Sequence, residues 1–136
     1  MAELYELTIT EARRRLDAGD ITSVQLTEAV LERIAAVDSQ VRAYLAISDD
    51  LAMRQARAAD ARRRAGNATG PLDGIPLAIK DVINVQGLTT TCGSKIIENF
   101  VPPYDSTAVA RLKDAGAVLL GKTNCDEFAM GSSTER

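Results

Sequence analysis

The sequence contains no histidine and only two cysteines among its 136 residues. The absence of histidine excludes a Ser-His-Asp triad within these residues and any metal site that depends on histidine ligands. Cys92 and Cys125 lie far apart and lack the CxxC spacing, so we expect free thiols rather than a disulfide or a zinc site, and no metal. If the chain belongs to a hydrolase, its general base must be a lysine.

The sequence also lacks an excess of positive charge and a long apolar run. Its net charge of -3 and its pI near 5.0 provide no basic face for nucleic acid, so any RNA contact would come through a partner. No run approaches the length of a membrane span, and the acidic terminus Met1-Ala2-Glu3 is not signal-like. We therefore expect one globular domain in the cytoplasm, without a membrane contact.

Capping signals divide the chain into helices. Thr8 with Glu11 and Thr22 with Gln25 are capping boxes, which predict two N-terminal helices. The second helix has a buried stripe at helical spacing, formed by Leu26, Ala29, Val30, Ile34 and Val37. Ser48-Asp49-Asp50 begins a third helix, and a fourth runs from the cap at Asp105-Ser106 to Ala115.

Three segments have the pattern of strands. Residues 41–47 alternate as a half-buried strand does, with Val41, Ala43, Leu45 and Ile47 on one side and Arg42, Tyr44 and Ala46 on the other. Residues 74–85 form a mostly apolar strand, and residues 117–120 form a buried strand after the fourth helix. Strand, crossover helix and strand predict a parallel α/β sheet.

Lys80 lies inside the apolar strand of residues 74–85. Strand alternation places Ala78, Lys80 and Val82 on one face and Leu77, Ile79, Asp81 and Ile83 on the other. Both faces are mostly apolar, which predicts that Lys80 is buried, and burial would favour a neutral amine that can act as a general base. The alternative is a lysine and an aspartate that end a strand in solvent, although apolar residues continue past the pair.

Residues 116–123 match the P-loop expression formally. The context is wrong, because residues 117–120 are themselves the apolar strand and Gly116 ends the preceding helix. We expect no nucleotide there. The loop that starts at Gly131 lies beyond the carboxyl end of this strand, where open α/β sheets bind ligands, although an ordinary loop or a helix cap fits the pattern equally well.

Four segments together resemble the amidase signature family: residues 74–81, 90–95, 100–105 and 121–135. The last segment, GKTNCDEFAMGSSTE, is the most specific and is similar to the A subunits of glutamyl-tRNA(Gln) amidotransferases within that family. The resemblance implies an α/β fold in which N-terminal helices precede part of a mixed, largely parallel sheet covered by helices. Residues 1–136 would form the amino-terminal part of a single amidase domain.

The resemblance also implies a chemistry. Lys80 would be the base of a Ser-cisSer-Lys triad that hydrolyses glutamine through an acyl-enzyme, and the ammonia would convert Glu-tRNA(Gln) into Gln-tRNA(Gln). Met130, Gly131, Ser132 and Ser133 would bind substrate. The B and C subunits of the amidotransferase would be partners, and charged tRNA would be contacted only through the complex. ATP and Mg would be used by the B subunits of such complexes, with no cofactor bound by this chain.

The resemblance implies that the family's glycine- and serine-rich signature supplies both serines of that triad, and we expect this signature beyond Arg136. Arg136 itself stands where the family usually has asparagine, and Ser132 and Ser133 belong to a different motif. The chain is therefore expected to be an amino-terminal fragment that is inactive alone. Two alternatives stay open: a general amide hydrolase, which would share Lys80 but not the run at residues 126–128, and a noncatalytic truncated module.

Overall fold

The computed structural model describes residues 3–133, so Met1, Ala2, Thr134, Glu135 and Arg136 lie outside the described residues. The described chain forms helices and one three-stranded sheet: α1 Ile9–Ala18, α2 Ser23–Val41, β1 Tyr44–Ile47, α3 Asp49–Arg64, β2 Pro76–Lys80, α4 Thr107–Asp114 and β3 Val118–Thr123. Short 3-10 turns occur at Leu4–Glu6, Lys95–Ile97 and Glu127–Ala129. No helix in this part of the chain combines the length and the apolar character that crossing a membrane requires.

The helix starts confirm the predicted capping signals. The backbone amide of Glu11 donates to Thr8 Oγ1 at 3.2 Å, and the Glu11 carboxylate accepts from the Thr8 amide at 2.9 Å. Thr22 and Gln25 make the same reciprocal pair at the start of α2. These caps satisfy amide groups that a helix cannot satisfy within itself, so local sequence decides where both helices begin.

The sheet has the order β1-β3-β2, with β3 in the middle. β2 runs parallel to β3, as the strand-helix-strand pattern predicts, whereas β1 is antiparallel to β3. The mixed α/β fold class is therefore confirmed. β3 extends to Thr123, so the residues that complete the formal P-loop match lie within the strand.

Buried clusters pack on both faces of the sheet. On one face Val118 and Leu120 pack with Ile34 of α2 and with alanines of α3, and on the other Leu119 and Ile79 pack with Val109 of α4. A third cluster joins α1, α2 and the residue before β2 through Leu16, Leu26 and Ile75. Of the predicted stripe of α2, Leu26 and Ile34 are buried, and Ala29, Val30 and Val37 are half-buried.

The predicted strand at residues 41–47 is shorter, and its apolar set faces outward. α2 continues to Val41, and Arg42 ends it in a left-handed conformation. Leu45 and Ile47 are 47% and 44% exposed, whereas Tyr44 packs against the α2-α3 core. Both helices lie on the Tyr44 side of β1, so this side is the inner one although its residues are less apolar.

Candidate functional site

Lys80 is the last residue of β2 and lies beside Thr123 of β3. The prediction that both faces of this strand are buried is wrong for the Lys80 face: Ala78 and Lys80 are exposed, whereas Ile79 and Asp81 are buried. The cause is that α4 and the residues after β2 pack on the Ile79 side. Among residues 3–133 no element covers the Lys80 side at this end of the strand, so the prediction that Lys80 is buried does not hold for these residues.

The residue after Lys80 is held from several directions. The Asp81 carboxylate accepts hydrogen bonds from Lys122 Nζ at 2.9 Å, from the Thr91 amide at 2.9 Å and from the Thr91 hydroxyl. Lys122 Nζ also donates to Thr90 Oγ1 at 2.7 Å. We call Asp81, Thr90, Thr91 and Lys122 the Asp81 cluster. Its geometry fixes the backbone immediately beyond Lys80.

The role of Lys122 is one that sequence reasoning missed. Its side chain has 0% exposure and is paired with Asp81, which is 1% exposed. A lysine that continues an apolar strand needs an acid partner, because an unpaired buried charge is costly. The need for an acid partner is the signal by which the sequence could have indicated this pair, but nothing in the sequence indicates that the partner lies 41 residues earlier.

Lys122 also belongs to the segment that matches the P-loop expression formally. Gly116 turns the chain after α4 with a φ of 80°, and the next residues enter the buried strand directly. The predicted strand is confirmed. Because Lys122 points into the Asp81 cluster, it cannot reach a phosphate on the surface, which supports our expectation that this segment binds no nucleotide.

The chain beyond β3 folds back onto the segment that follows Thr91. The Phe128 amide donates to the Cys92 carbonyl at 2.8 Å, and Ser94 Oγ donates to the Glu127 carboxylate at 2.6 Å. Gly93 lies so close to the Cys125 carbonyl that a Cβ at residue 93 would be 2.5 Å from its oxygen. The close backbone approach at Gly93 is thus a contact within this chain.

Backbone strain is concentrated in the same region. Cys92, Phe128 and Ala129 have φ values of 53°, 52° and 59°, a left-handed conformation that is uncommon for residues other than glycine. Such residues persist only where the surroundings hold them, and they often mark functional sites. Here the Cys92 carbonyl accepts from the Phe128 amide, so two of the strained residues hold each other.

Met130, Gly131, Ser132 and Ser133, the predicted substrate-binding residues, are all exposed. Met130 ends the 127–130 turn, in which its amide donates to the Glu127 carbonyl at 3.0 Å, and the other three residues follow this turn. The turn comes after the carboxyl end of β3, and Lys80 lies at the carboxyl end of β2. Because β2 and β3 are parallel, both ends lie at the same edge of the sheet. An open cavity of about 640 Å³ adjoins this edge, with Tyr44, Thr91 and Asn124 among its lining residues.

The two cysteines are free thiols with different surroundings. Cys125 is 3% exposed, and burial raises the pKa of its thiol, with a further increase from the Asp81 carboxylate and an opposing effect of the Lys80 ammonium. Cys92 is partly exposed. The described residues contain no group of three or more acidic or cysteine side chains placed to hold a metal ion.

Comparison with known proteins identifies the relatives of this chain. The family model described as Amidase matches residues 25–136. The chain is 66% identical over 135 residues to a protein of Roseiflexus sp. (strain RS-1) that is named as the A subunit of glutamyl-tRNA(Gln) amidotransferase, an alignment that includes 99% of this chain and 28% of the relative. The chain thus spans somewhat more than a quarter of the length of this curated relative.

Solved structures agree with the sequence relatives. The native peptide amidase from Stenotrophomonas maltophilia superposes with a TM-score of 0.85 at 43% identity, over 90% of this chain and 26% of that one. A protein of the vestigial complex that revealed the origins of an s-triazine catabolic enzyme, in its inhibitor-bound form, gives a TM-score of 0.91 at 37% identity, over 95% and 28% of the two chains. The described fold therefore corresponds to part of each of these larger structures.

Proposed function

This chain belongs to the amidase family, and we propose from that premise that residues 1–136 are the amino-terminal part of one amidase domain that hydrolyses glutamine for a tRNA-dependent amidotransferase. The ammonia released would convert Glu-tRNA(Gln) into Gln-tRNA(Gln). The observation that carries this proposal is the 66% identity to the Roseiflexus protein over 99% of the chain. The remaining length of such relatives would supply the rest of the site.

Lys80 is the base in this proposal. It stands at the carboxyl edge of a parallel strand pair, where open α/β sheets bind their ligands, and its side chain is exposed on a face that another segment can cover. Lys80 takes the proton of a cis-serine hydroxyl, which in turn deprotonates the nucleophilic serine, so that no histidine is needed. Once another segment covers this face, the amine would lose water contacts, and loss of water disfavours a charged ammonium group.

The exposed residues Met130, Gly131, Ser132 and Ser133 form one wall of the glutamine site in this proposal. Met130 ends the 127–130 turn and the other three follow it, and hydrogen bonds hold this turn against Cys92 and Ser94. The B and C subunits of the amidotransferase are the proposed partners in the cytoplasm, and charged tRNA is met through the complex. ATP and Mg act at the B component of that complex, so this chain needs no cofactor of its own.

A general amide hydrolase is the second candidate, and the peptide amidase structure at 43% identity is the observation in its favour. Both candidates use Lys80 in the same role. The identity to the amidotransferase relative is higher and extends over more of the chain, which favours the first candidate.

The test uses a chimera in which this chain replaces the aligned region of the Roseiflexus relative, assembled with that organism's partner subunits. Lys80→Ala should lower glutamine hydrolysis by at least about 100-fold, because a positioned general base contributes roughly 100-fold to 10000-fold. Transamidation supplied with free ammonia should continue, since it bypasses the glutaminase site.

Arg14→Ala is the matched control, because it removes a positive charge from an exposed position of α1. It should leave both activities unchanged. Equal loss of glutamine hydrolysis and of ammonia-supported transamidation in Lys80→Ala would show that Lys80 is structural. A chimera that hydrolyses a peptide amide but not glutamine would favour the second candidate. The isolated 136-residue chain should release no ammonia from glutamine.

A further inference from the structure

Lys122 and Asp81 form a buried ion pair that the proposed triad does not use. Their exposures are 0% and 1%, and their charged atoms are 2.9 Å apart. Replacing a buried ion pair by apolar residues of similar volume is often neutral or stabilising, whereas removing one partner leaves a costly uncompensated charge. Net stability is thus a weak reason for such a pair, and what the pair holds in place becomes the relevant question.

The pair holds the residue that follows Lys80. Besides the carboxylate contacts of the Asp81 cluster, the Asp81 amide donates to the Thr123 carbonyl at 3.0 Å, and the Asp81 carbonyl accepts from the Cys92 amide at 3.0 Å. Asp81 is therefore bonded through its amide, its carbonyl and its carboxylate. Lys80 is the last residue of the ladder of β2 with β3 and directly precedes this fixed residue, so its Cα position and the direction of its Cα–Cβ bond are determined.

The same contacts reach the 127–130 turn, which ends at the first of the predicted substrate-binding residues. Asp81 binds Thr91 and Cys92, and the Cys92 carbonyl accepts from the Phe128 amide at 2.8 Å. Phe128 and Ala129 are in the left-handed conformation and need such support. One chain of hydrogen bonds thus runs from Lys122 through Asp81 and Cys92 to the 127–130 turn.

We propose that Lys122 is a positioning residue for Lys80: its ion pair with Asp81 keeps the base and the 127–130 turn in fixed relative positions. Lys122 itself touches neither substrate nor reacting atoms. This inference rests on the proposed function, in which Lys80 is the base. It gives the lysine of the formal P-loop match a role in geometry rather than in phosphate binding.

The test compares Lys122→Met, Asp81→Asn and the double variant in the chimera. A displacement of about 1 Å at a reacting group can lower the rate roughly 100-fold, so we expect kcat for glutamine hydrolysis to fall at least about 30-fold in each variant while KM changes less than about threefold. The double variant should lose no more kcat than the more impaired single variant, because both substitutions remove the same interaction between Lys122 and Asp81. Ammonia-supported transamidation should stay within about twofold of the parent, since it bypasses this site.

Arg62→Met is the matched control. Arg62 pairs with the fully buried carboxylate of Asp73, which precedes the opposite end of β2. This substitution also removes the partner of a buried acid, so it should lower the thermal unfolding temperature without lowering kcat selectively. If Lys122→Met fails to fold, the double variant decides, because it leaves no uncompensated buried charge.

The outcomes separate the two proposals. An unchanged kcat in the folded double variant, beside an inactive Lys80→Ala, would overturn the positioning role and leave the proposed function standing. A parallel loss of both activities in the Lys122 variants would also overturn it, since that pattern indicates general destabilisation. Full glutaminase activity in Lys80→Ala would overturn the proposed function and the inference together.

Discussion

Replacing Gly121 by alanine should detach β1 from β3. Gly121 lies in the middle of β3 with a φ of 154°, and a Cβ there would overlap the Ala46 carbonyl oxygen and lie 2.9 Å from the Ile47 Cα. Both obstacles are backbone atoms of β1, so no side chain can move aside to make room. The two strands would have to separate.

Gly70 is a matched control for the conformational part of this effect. Its φ of 148° is nearly the same, but a Cβ at residue 70 would meet nothing within 4 Å. Both alanine substitutions carry a backbone strain of about 1–3 kcal/mol. Only Gly121→Ala adds the overlap, at about 1–3 kcal/mol for overpacking. We therefore expect it to cost about 2 kcal/mol more than Gly70→Ala.

Hydrogen-deuterium exchange can measure this difference in the chimera. The Ser48 amide donates to the Leu120 carbonyl at 2.9 Å and reports on the contact between the end of β1 and β3. A difference of about 2 kcal/mol corresponds to roughly 30-fold faster exchange in Gly121→Ala than in Gly70→Ala. Equal exchange at Ser48 in the two variants would refute the steric argument, because the strain common to both would then explain the whole effect.

Two further predictions concern exposed and buried side chains. The isolated 136-residue chain should bind a hydrophobic dye and tend to associate, because Leu45, Ile47 and Met130 are exposed and the outer strands β1 and β2 each have an unpaired edge within residues 3–133. The double substitution Leu45→Lys with Ile47→Lys should reduce the dye signal. A monodisperse chain with a cooperative melt and no dye binding would contradict this prediction. Burial raises the pKa of the Cys125 thiol, so alkylation of Cys125 should be slower than alkylation of Cys92 at pH 8. The rate at Cys125 should continue to rise with pH above the pH range in which an ordinary thiol ionises, and peptide mass spectrometry would measure both rates. Labelling of Cys125 before Cys92 would contradict its burial.

The elements that depend on neighbouring residues were predictable from sequence. The capping boxes at Thr8 and Thr22 specify helix starts through contacts three residues apart, and the structure reproduces both. The parallel pairing of β2 with β3 followed from the order of strand, helix and strand. For the two capping boxes, both partners of the deciding interaction lie within three residues of each other in the sequence.

The inner faces of the strands could not be predicted in the same way. Leu45 and Ile47 are more apolar than Tyr44 and Ala46, yet both helices that cover β1 lie on the Tyr44 side. Similarly, the apolar residues around Lys80 predicted burial, but the covering elements lie on the Ile79 side. Alternation identifies two faces of a strand, and only the packing of distant elements decides which face is buried.

The candidate site was predictable in part. Lys80 and the residues from Met130 to Ser133 lie at the sheet edge that strand order indicates, although their roles stay predictions. The Asp81 cluster was not predictable, because its members come from three separate segments of the chain. A search for the acid partner of the lysine in β3 would have been the way to find it.

The order β1-β3-β2 has a consequence for how this protein folds during its synthesis. β1 and β2 are not neighbours in the sheet, and both pair with β3, which is made last of the three. At roughly 5–20 residues per second, the ribosome needs several seconds to proceed from the end of β1 at Ile47 to the end of β3 at Thr123. β1 is unpaired throughout that interval, and β2 is unpaired from its completion at Lys80 until β3 is made. Among the described residues the nascent chain thus carries helices without a sheet, and the arrival of β3 allows both pairings at once.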